Sequence, residues 1–215
     1  STPKPSSAAS DVYKRQMPVS IIHIKPCKNI TAALDFINSI ALSTNTSEEN
    51  NNTEDIKGDY SILLYKSKNL NKYLSIDYQQ NSNAMNVTVQ DGQNLKVNAP
   101  FQSNLDSSIV KQEFQSLLNS NKEWTFRQSF QMRNYSMGFY NDFVKIYKWD
   151  IHNDVSDLLG IKLLIEYDTP NNLKDLESVL NDVVKETPQS VNNFDVFYDL
   201  KNKTEISLKV LSMVL

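Results

Sequence analysis

Between residues 122 and 168 the chain alternates apolar and polar positions with a period of two. In KEWTFRQSFQMR, Trp124, Phe126, Phe130 and Met132 alternate with Thr125, Arg127, Ser129, Gln131 and Arg133. In GIKLLIEYD, Ile161, Leu163, Ile165 and Tyr167 stand opposite Lys162, Glu166 and Asp168. This pattern predicts antiparallel strands with one face on a core and the other towards water. The stretch between them, YNDFVKIYKW at 140–149, is apolar on both sides. Val144 and Ile146 face one way, and Phe143, Tyr147 and Trp149 the other. A strand of that kind needs cover on both faces, which argues for a central barrel strand overlaid by a helix or by another protein. Asp142 falls on the face of Val144. A buried carboxylate needs a partner, so an ion pair with Arg127 or Arg133 of the adjacent strand is expected.

The rest of the chain divides by the same reading. VSIIHI is a short β-rich run bounded by Pro18 and Pro26. A helix follows, with Asn29 as its expected N-cap and Ile30, Ala33, Leu34, Ile37, Ile40 and Ala41 on one stripe. DYSILLYKS, KYLSIDYQ, AMNVTVQDG and QNLKVNA read as four strands. Met85, Val87 and Val89 share a face, and Asp91-Gly92 signals a hairpin turn. A second helix is expected after Asp106, with Ile109, Val110, Phe114, Leu117 and Leu118 inward. A third carries Leu173, Leu176, Leu180, Val183 and Val184 and is stopped by Pro188. FDVFYDL is extended, and KTEISLKVLSMVL is a final helix or strand that must be buried. Residues 1–16 have no apolar period and read as a disordered leader. The polar run at 43–58 reads as a mobile insert within a single domain spanning 17–215. Runs of strands with helices between them predict an α+β protein. The expected form is a closed antiparallel β-barrel of about eight strands with three or four flanking helices.

Composition narrows the chemistry. The 215-residue chain has a formal net charge of −3, which gives nucleic acid no electrostatic hold. No stretch approaches the roughly 18 consecutive apolar residues of a spanning helix. The single cysteine, Cys27, rules out an intrachain disulfide and favours a reducing compartment, cytosol or nucleus. That compartment argues against glycosylation at the six sequons beginning at Asn29, Asn45, Asn51, Asn86, Asn134 and Asn202. The four glycines stand far apart, so no phosphate-cradling loop exists.

The two histidines, His23 and His152, have no neighbours at ligand spacing, and Pro26 breaks the geometry between His23 and Cys27. Neither a metal site nor a thiol nucleophile is expected. Asp142, Asp150, Asp154 and Asp157 cluster in sequence, which reads as a solvated hairpin loop rather than an acid–base pair. Tyr135, Phe139, Tyr140, Phe143, Tyr147 and Trp149 could stack bases, but stacking platforms sit in positive grooves. Core or protein interface is the better assignment for them.

Four features carry a family resemblance. The frame from Met17 begins MPVS. The stretch EWTFRQSFQMRNYSMGFYNDFVKIYKW holds a W-x-x-R-Q strand followed by a strand that opens D-F-V-K. LLGIKLLIEYDTP holds a glycine strand ending E-Y-D-T-P, here Gly160, Glu166, Tyr167 and Pro170. A helix and a short apolar segment then close the chain. In these features the chain resembles the fungal branch of the Mediator of RNA polymerase II transcription subunit 20 family. The resemblance implies an eight-stranded β-barrel with flanking helices, no enzymatic activity, no cofactor and a nuclear location. It implies a place in the Mediator head module, paired with a related barrel, subunit 18, which a C-terminal helix of subunit 8 anchors. Through them the chain would help couple transcription regulators to RNA polymerase II. The alternative is a carrier enclosing an apolar small molecule. Against it, Trp124, Phe126, Phe130, Ile161, Leu163 and Tyr167 are expected to point inward and fill the lumen.

Overall fold

The computed structural model describes residues 17–40, 58–79, 84–91, 94–102, 107–185 and 193–200. Nine strands and three helices are found among them. They are β1 (Val19–Ile24), α1 (Ile30–Ile40), β2 (Tyr60–Ser67), β3 (Lys72–Tyr78), β4 (Ala84–Asp91), β5 (Asn94–Gln102), α2 (Ser107–Ser120), β6 (Trp124–Asn141), β7 (Val144–His152), β8 (Leu158–Tyr167), α3 (Pro170–Val184) and β9 (Phe194–Leu200). The leader 1–16, most of the 43–58 insert, Ala41, Asp106, Pro188 and the C-terminal run from Lys201 lie outside the described residues.

All pairings are antiparallel, in one sheet of order β5-β4-β3-β2-β6-β7-β8-β1-β9. The α+β class holds. The closed barrel does not: β5 and β9 are the two ends of the sheet, which is an open half-barrel. The reason is topological. The hairpin β3–β4–β5 grows outward from one side of β2, and β6 pairs with its other side. At the opposite end β1 inserts beside β8, so β9 adds outside β1 instead of meeting β5. Pro100 suits the edge position of β5, because a proline offers no amide to a further strand.

Each face of the sheet has its own core. On the inner face lie Val19, Ile21, Tyr60, Ile62, Leu64, Phe130, Met132, Tyr147, Trp149, Ile151 and Leu164. On the outer face, α1 and α3 cover Ile22, Ile24, Val144, Ile146, Ile161, Leu163, Ile165 and Tyr167, using Ala33, Ile37, Leu173, Leu176, Leu180 and Val184. Further along the same outer face, Val110 and Leu118 of α2 cover Leu63, Tyr65, Leu74, Ile76, Tyr78 and Met85. The central strand β7 is therefore covered on both sides as its sequence requires, by helices on one and by the curl of the sheet on the other.

Several local expectations are corrected. Asn29 precedes α1 but does not cap it with its side chain; its Nδ2 donates to the Lys185 carbonyl at 3.2 Å and ties the start of α1 to the end of α3. In α2, Ile109 and Leu117 point outward, because a single covering face leaves room only for the Val110–Leu118 side of the helix. In β6 the apolar alternation does not stay on one face. Tyr65 pairs with Phe126 and Leu64 with Gln128, so Arg127 is an extra, bulged residue. Trp124 and Phe126 therefore pack towards the α2 side, the latter edge-on to Tyr65 at 5.4 Å, while Phe130 and Met132 turn inward. Pro170 follows the end of β8 and opens α3 at its first turn, where it displaces no helical hydrogen bond.

Candidate functional site

The concave face holds a polar cluster inside an apolar wall. Lys162 on β8 sits in the row Trp149–Lys162–His23–Asp195 across β7, β8, β1 and β9. It was expected on a solvated face, yet it has no exposed surface. The curl of the sheet turns that second face into an interior. The Lys162 Nζ donates to the Tyr60 hydroxyl at 3.0 Å, and lies 4.8 Å from the centre of the Trp149 ring. Tyr60 belongs to β2, three strands away from β8, so this bond spans the lumen. Asp77 of β3 joins from the same side as Tyr60.

Burial governs the ionisation of this cluster. Asp77 keeps some exposure as a residue, but desolvation of its carboxyl raises it to about 7, against the pull of the Lys162 charge. Desolvation lowers Lys162 to about 8, while Asp77 acts in the opposite direction. Tyr60 is pushed well above its ordinary value by burial and then by Asp77. His23 is lowered by burial first, although Asp195 pulls it up. The Lys162–Tyr60 bond is a clamp between β8 and β2, and Asp77 of β3 acts on Lys162 through its charge. Lys162 has no exposed surface from which to reach a substrate, so its partners are protein groups.

Around the cluster the aromatic residues lock together. Trp149 donates through Nε1 to the Gly58 carbonyl at 2.9 Å, meets Tyr60 edge-on at 6.0 Å and packs on Tyr135 at 5.2 Å. Gly160 lies at φ +147°, and a Cβ there would stand 2.6 Å from the Ile24 carbonyl and 2.8 Å from His23 Nε2. The interior is thus lined by Tyr60, Ile62, Phe130, Met132, Tyr147, Trp149 and Leu164. Of the six side chains expected there, only Phe130 is present. Ile161, Leu163 and Tyr167 face the helices instead.

The other candidates scatter. Asp142 is exposed in the β6–β7 turn, and Arg127 and Arg133 are exposed as well, so the expected buried pair does not form. The tight β6–β7 connection takes Asp142 out of the strand and off the face of Val144. The buried carboxylate of β7 is Asp150, 2.9 Å from Lys148 and accepting from Asn134 Nδ2 at 2.6 Å. Asp154 and Asp157 stay in the exposed loop; Asp154 accepts from Ser129 and Asp157 from Asn153. His152 contacts the Ser156 carbonyl at 3.1 Å, and Cys27 packs beside the α1–α3 core. Among the described residues no three metal-ligating side chains come together, and no helix is long and apolar enough to cross a membrane.

Asp77, Lys162 and Tyr60 were not singled out from sequence. A weak signal existed: Lys162 and Asp77 are single charges embedded in apolar runs, IKLLI and LSIDY. Comparison with known proteins adds little. No protein-family profile matches the chain, and no curated protein does. Among solved structures it is similar to the PH1819 protein from Pyrococcus horikoshii OT3, with 10% identity, a TM-score of 0.42, 89% of this chain and 99% of that chain covered. It is also similar to the PH1012 protein from the same organism, with 12% identity, a TM-score of 0.37, and 82% and 95% covered. At that level the likeness says nothing of what this chain does.

Proposed function

We propose that the chain is a non-enzymatic interaction subunit of the nuclear Mediator head module. In this reading it pairs with subunit 18, reaches the C-terminal helix of subunit 8 through it, and helps couple regulators to RNA polymerase II. The observation that carries the reading is where the family-like motifs fall. The resembling stretch forms β6, β7 and β8, three neighbouring strands at the centre of the sheet. Its marked residues do packing work: Gly160 lets β8 approach β1, the Tyr167 hydroxyl accepts from Ser20 at 3.1 Å, and Pro170 starts α3. Packing motifs of this kind serve a scaffold. The end strands β5 and β9 add support, because an open sheet can meet a second sheet protein.

The test is affinity purification of the full chain from fungal nuclear extract, read by mass spectrometry, with co-expression of Mediator subunit 18 beside it. Recovery of head-module subunits in fixed proportion is the expected result. Recovery as a lone chain, or as a monomer carrying a bound lipid, overturns the reading, and the lipid favours the carrier.

A further inference from the structure

One end of the sheet carries an apolar rim. Phe139 is 55% exposed, Phe143 53% and Met17 40%. Strand register brings these residues to the same end. Phe139 pairs with Lys145, Lys145 with Glu166, Glu166 with Val19, and Val19 with Leu200. Phe143 lies in the β6–β7 turn, its carbonyl accepting from the Asp168 amide at 3.3 Å, while Pro18 accepts from the Tyr167 amide at 3.2 Å. Asp142 is exposed in that turn, and Asp168 is exposed just after β8. The cation on this row, Lys145, is turned onto the rings of Tyr147 and Phe139, at 5.0 and 5.8 Å.

Leu200, the last residue of β9, sits in that row, so the chain passes into 201–215 from this end of the sheet. The segment KNKTEISLKVLSMVL has a matching character. It holds three lysines, Lys201, Lys203 and Lys209, against the single Glu205. Its apolar residues are Ile206, Leu208, Val210, Leu211, Met213, Val214 and Leu215. From Leu200 to Phe139 is four strand spacings, roughly 19 Å. The six steps from Leu200 to Ile206 span up to roughly 20 Å, so residues from 206 onward are within reach of the rim. Tethering also raises the effective concentration of the segment far above that of a free partner.

We propose that residues 206–215 dock within the same chain on the rim formed by Met17, Phe139 and Phe143, with Lys209 complementing Asp142 and Asp168. This goes beyond the proposed Mediator role and does not depend on it, since it concerns the isolated chain.

The test places a photo-activated benzophenone side chain at position 143 of the full chain, kept dilute and monomeric. Cross-links within the chain to peptides from 204–215 are expected. Cross-links to a second copy, to residues 1–16, or to neither overturn the proposal. Limited trypsin digestion gives an independent readout at Lys209. Phe139→Ser/Phe143→Ser should speed that cleavage about tenfold, the factor that corresponds to loss of about 1.4 kcal/mol of docking. Asp142→Lys/Asp168→Lys should lower the cross-link yield. Unchanged cleavage in the first variant, or unchanged yield in the second, removes respectively the apolar or the electrostatic part of the argument.

Discussion

The two helical covers on the outer face of the sheet are built to different standards. Under α1 and α3 the core is nearly sealed: Leu176, Leu180 and Val184 are at 0% exposure, and the helices brace each other through the Asn29–Lys185 contact. Under α2 the seal is looser. Val110 and Leu118 retain 7% and 9%, no second helix flanks them among the described residues, and Ile109 and Leu117 stand in solvent. One sheet thus carries one tightly sealed half and one less sealed half. The inner cluster of Tyr60, Asp77 and Lys162 joins them, because its members come from β2 and β3 on one side and β8 on the other.

The sharpest way to break this contrast is at its tight end. Leu176→Ala should cost about 2–5 kcal/mol in urea unfolding, since the site is closed on every side and cannot collapse. A loss under about 1 kcal/mol, close to the cost of a surface change, would show that the α3 cover is no tighter than the α2 cover. The joint between the halves should show in the pH dependence. In the fold Asp77 holds its proton to about 7, against 3.8 ordinarily, so stability falls as pH rises between those values. Lys162 loses its proton at about 8 in the fold against 10.5 ordinarily, so stability rises again as pH climbs through that window. The two together place a minimum between about 7 and 8. Asp77→Asn/Lys162→Met should flatten it in denaturation curves taken from pH 4 to pH 10. A parent protein most stable at pH 7–8 would contradict the clamp.

Gly160→Ala tests the close approach of β8 to β1, and strain at positive φ should cost about 1–3 kcal/mol, read as a drop in melting temperature. Leu118→Ala should cost only about 1–2 kcal/mol, at or below the low end for buried leucines. Hydrogen exchange should open α2 amides at lower free energy than those of α3. The smallest effect is Asp142→Asn, expected within about 0.5 kcal/mol because the carboxylate is exposed. A larger loss would place it in a pair after all.

Sequence made the elements legible wherever periodicity acts locally. The stripe of α3, the hairpin β4–β5 across Asp91 and the two-sided character of β7 all follow from residues near in the chain. What it left hidden depended on distant parts of the chain. The bulge at Arg127 arises from pairing with Tyr65 and Leu64, and nothing in WTFRQSF announces it. Lys162 reads as a surface residue because alternation shows that a strand has two faces, not that the sheet will curl over the second. Asp142 was misplaced for a related reason: a two-residue turn at 142–143 cannot be separated by pattern alone from the strand that follows. Ile109 and Leu117 matched a helical stripe wider than the surface α2 has to cover.

The insertion of β1 beside β8 has a consequence for how the protein comes into being. Ser20 and Tyr167, bonded in the native state, are 147 residues apart. On a ribosome, VSIIHI emerges ahead of the other described strands and must wait for nearly all of the described sheet before its neighbour exists. Throughout that interval six residues destined for complete burial present an unpaired, β-prone edge. Contacts of such long separation slow folding, because the loop must close before they reward it. The earliest strand made is therefore among the last to be satisfied, and the yield of folded protein depends on keeping it from other chains in the meantime.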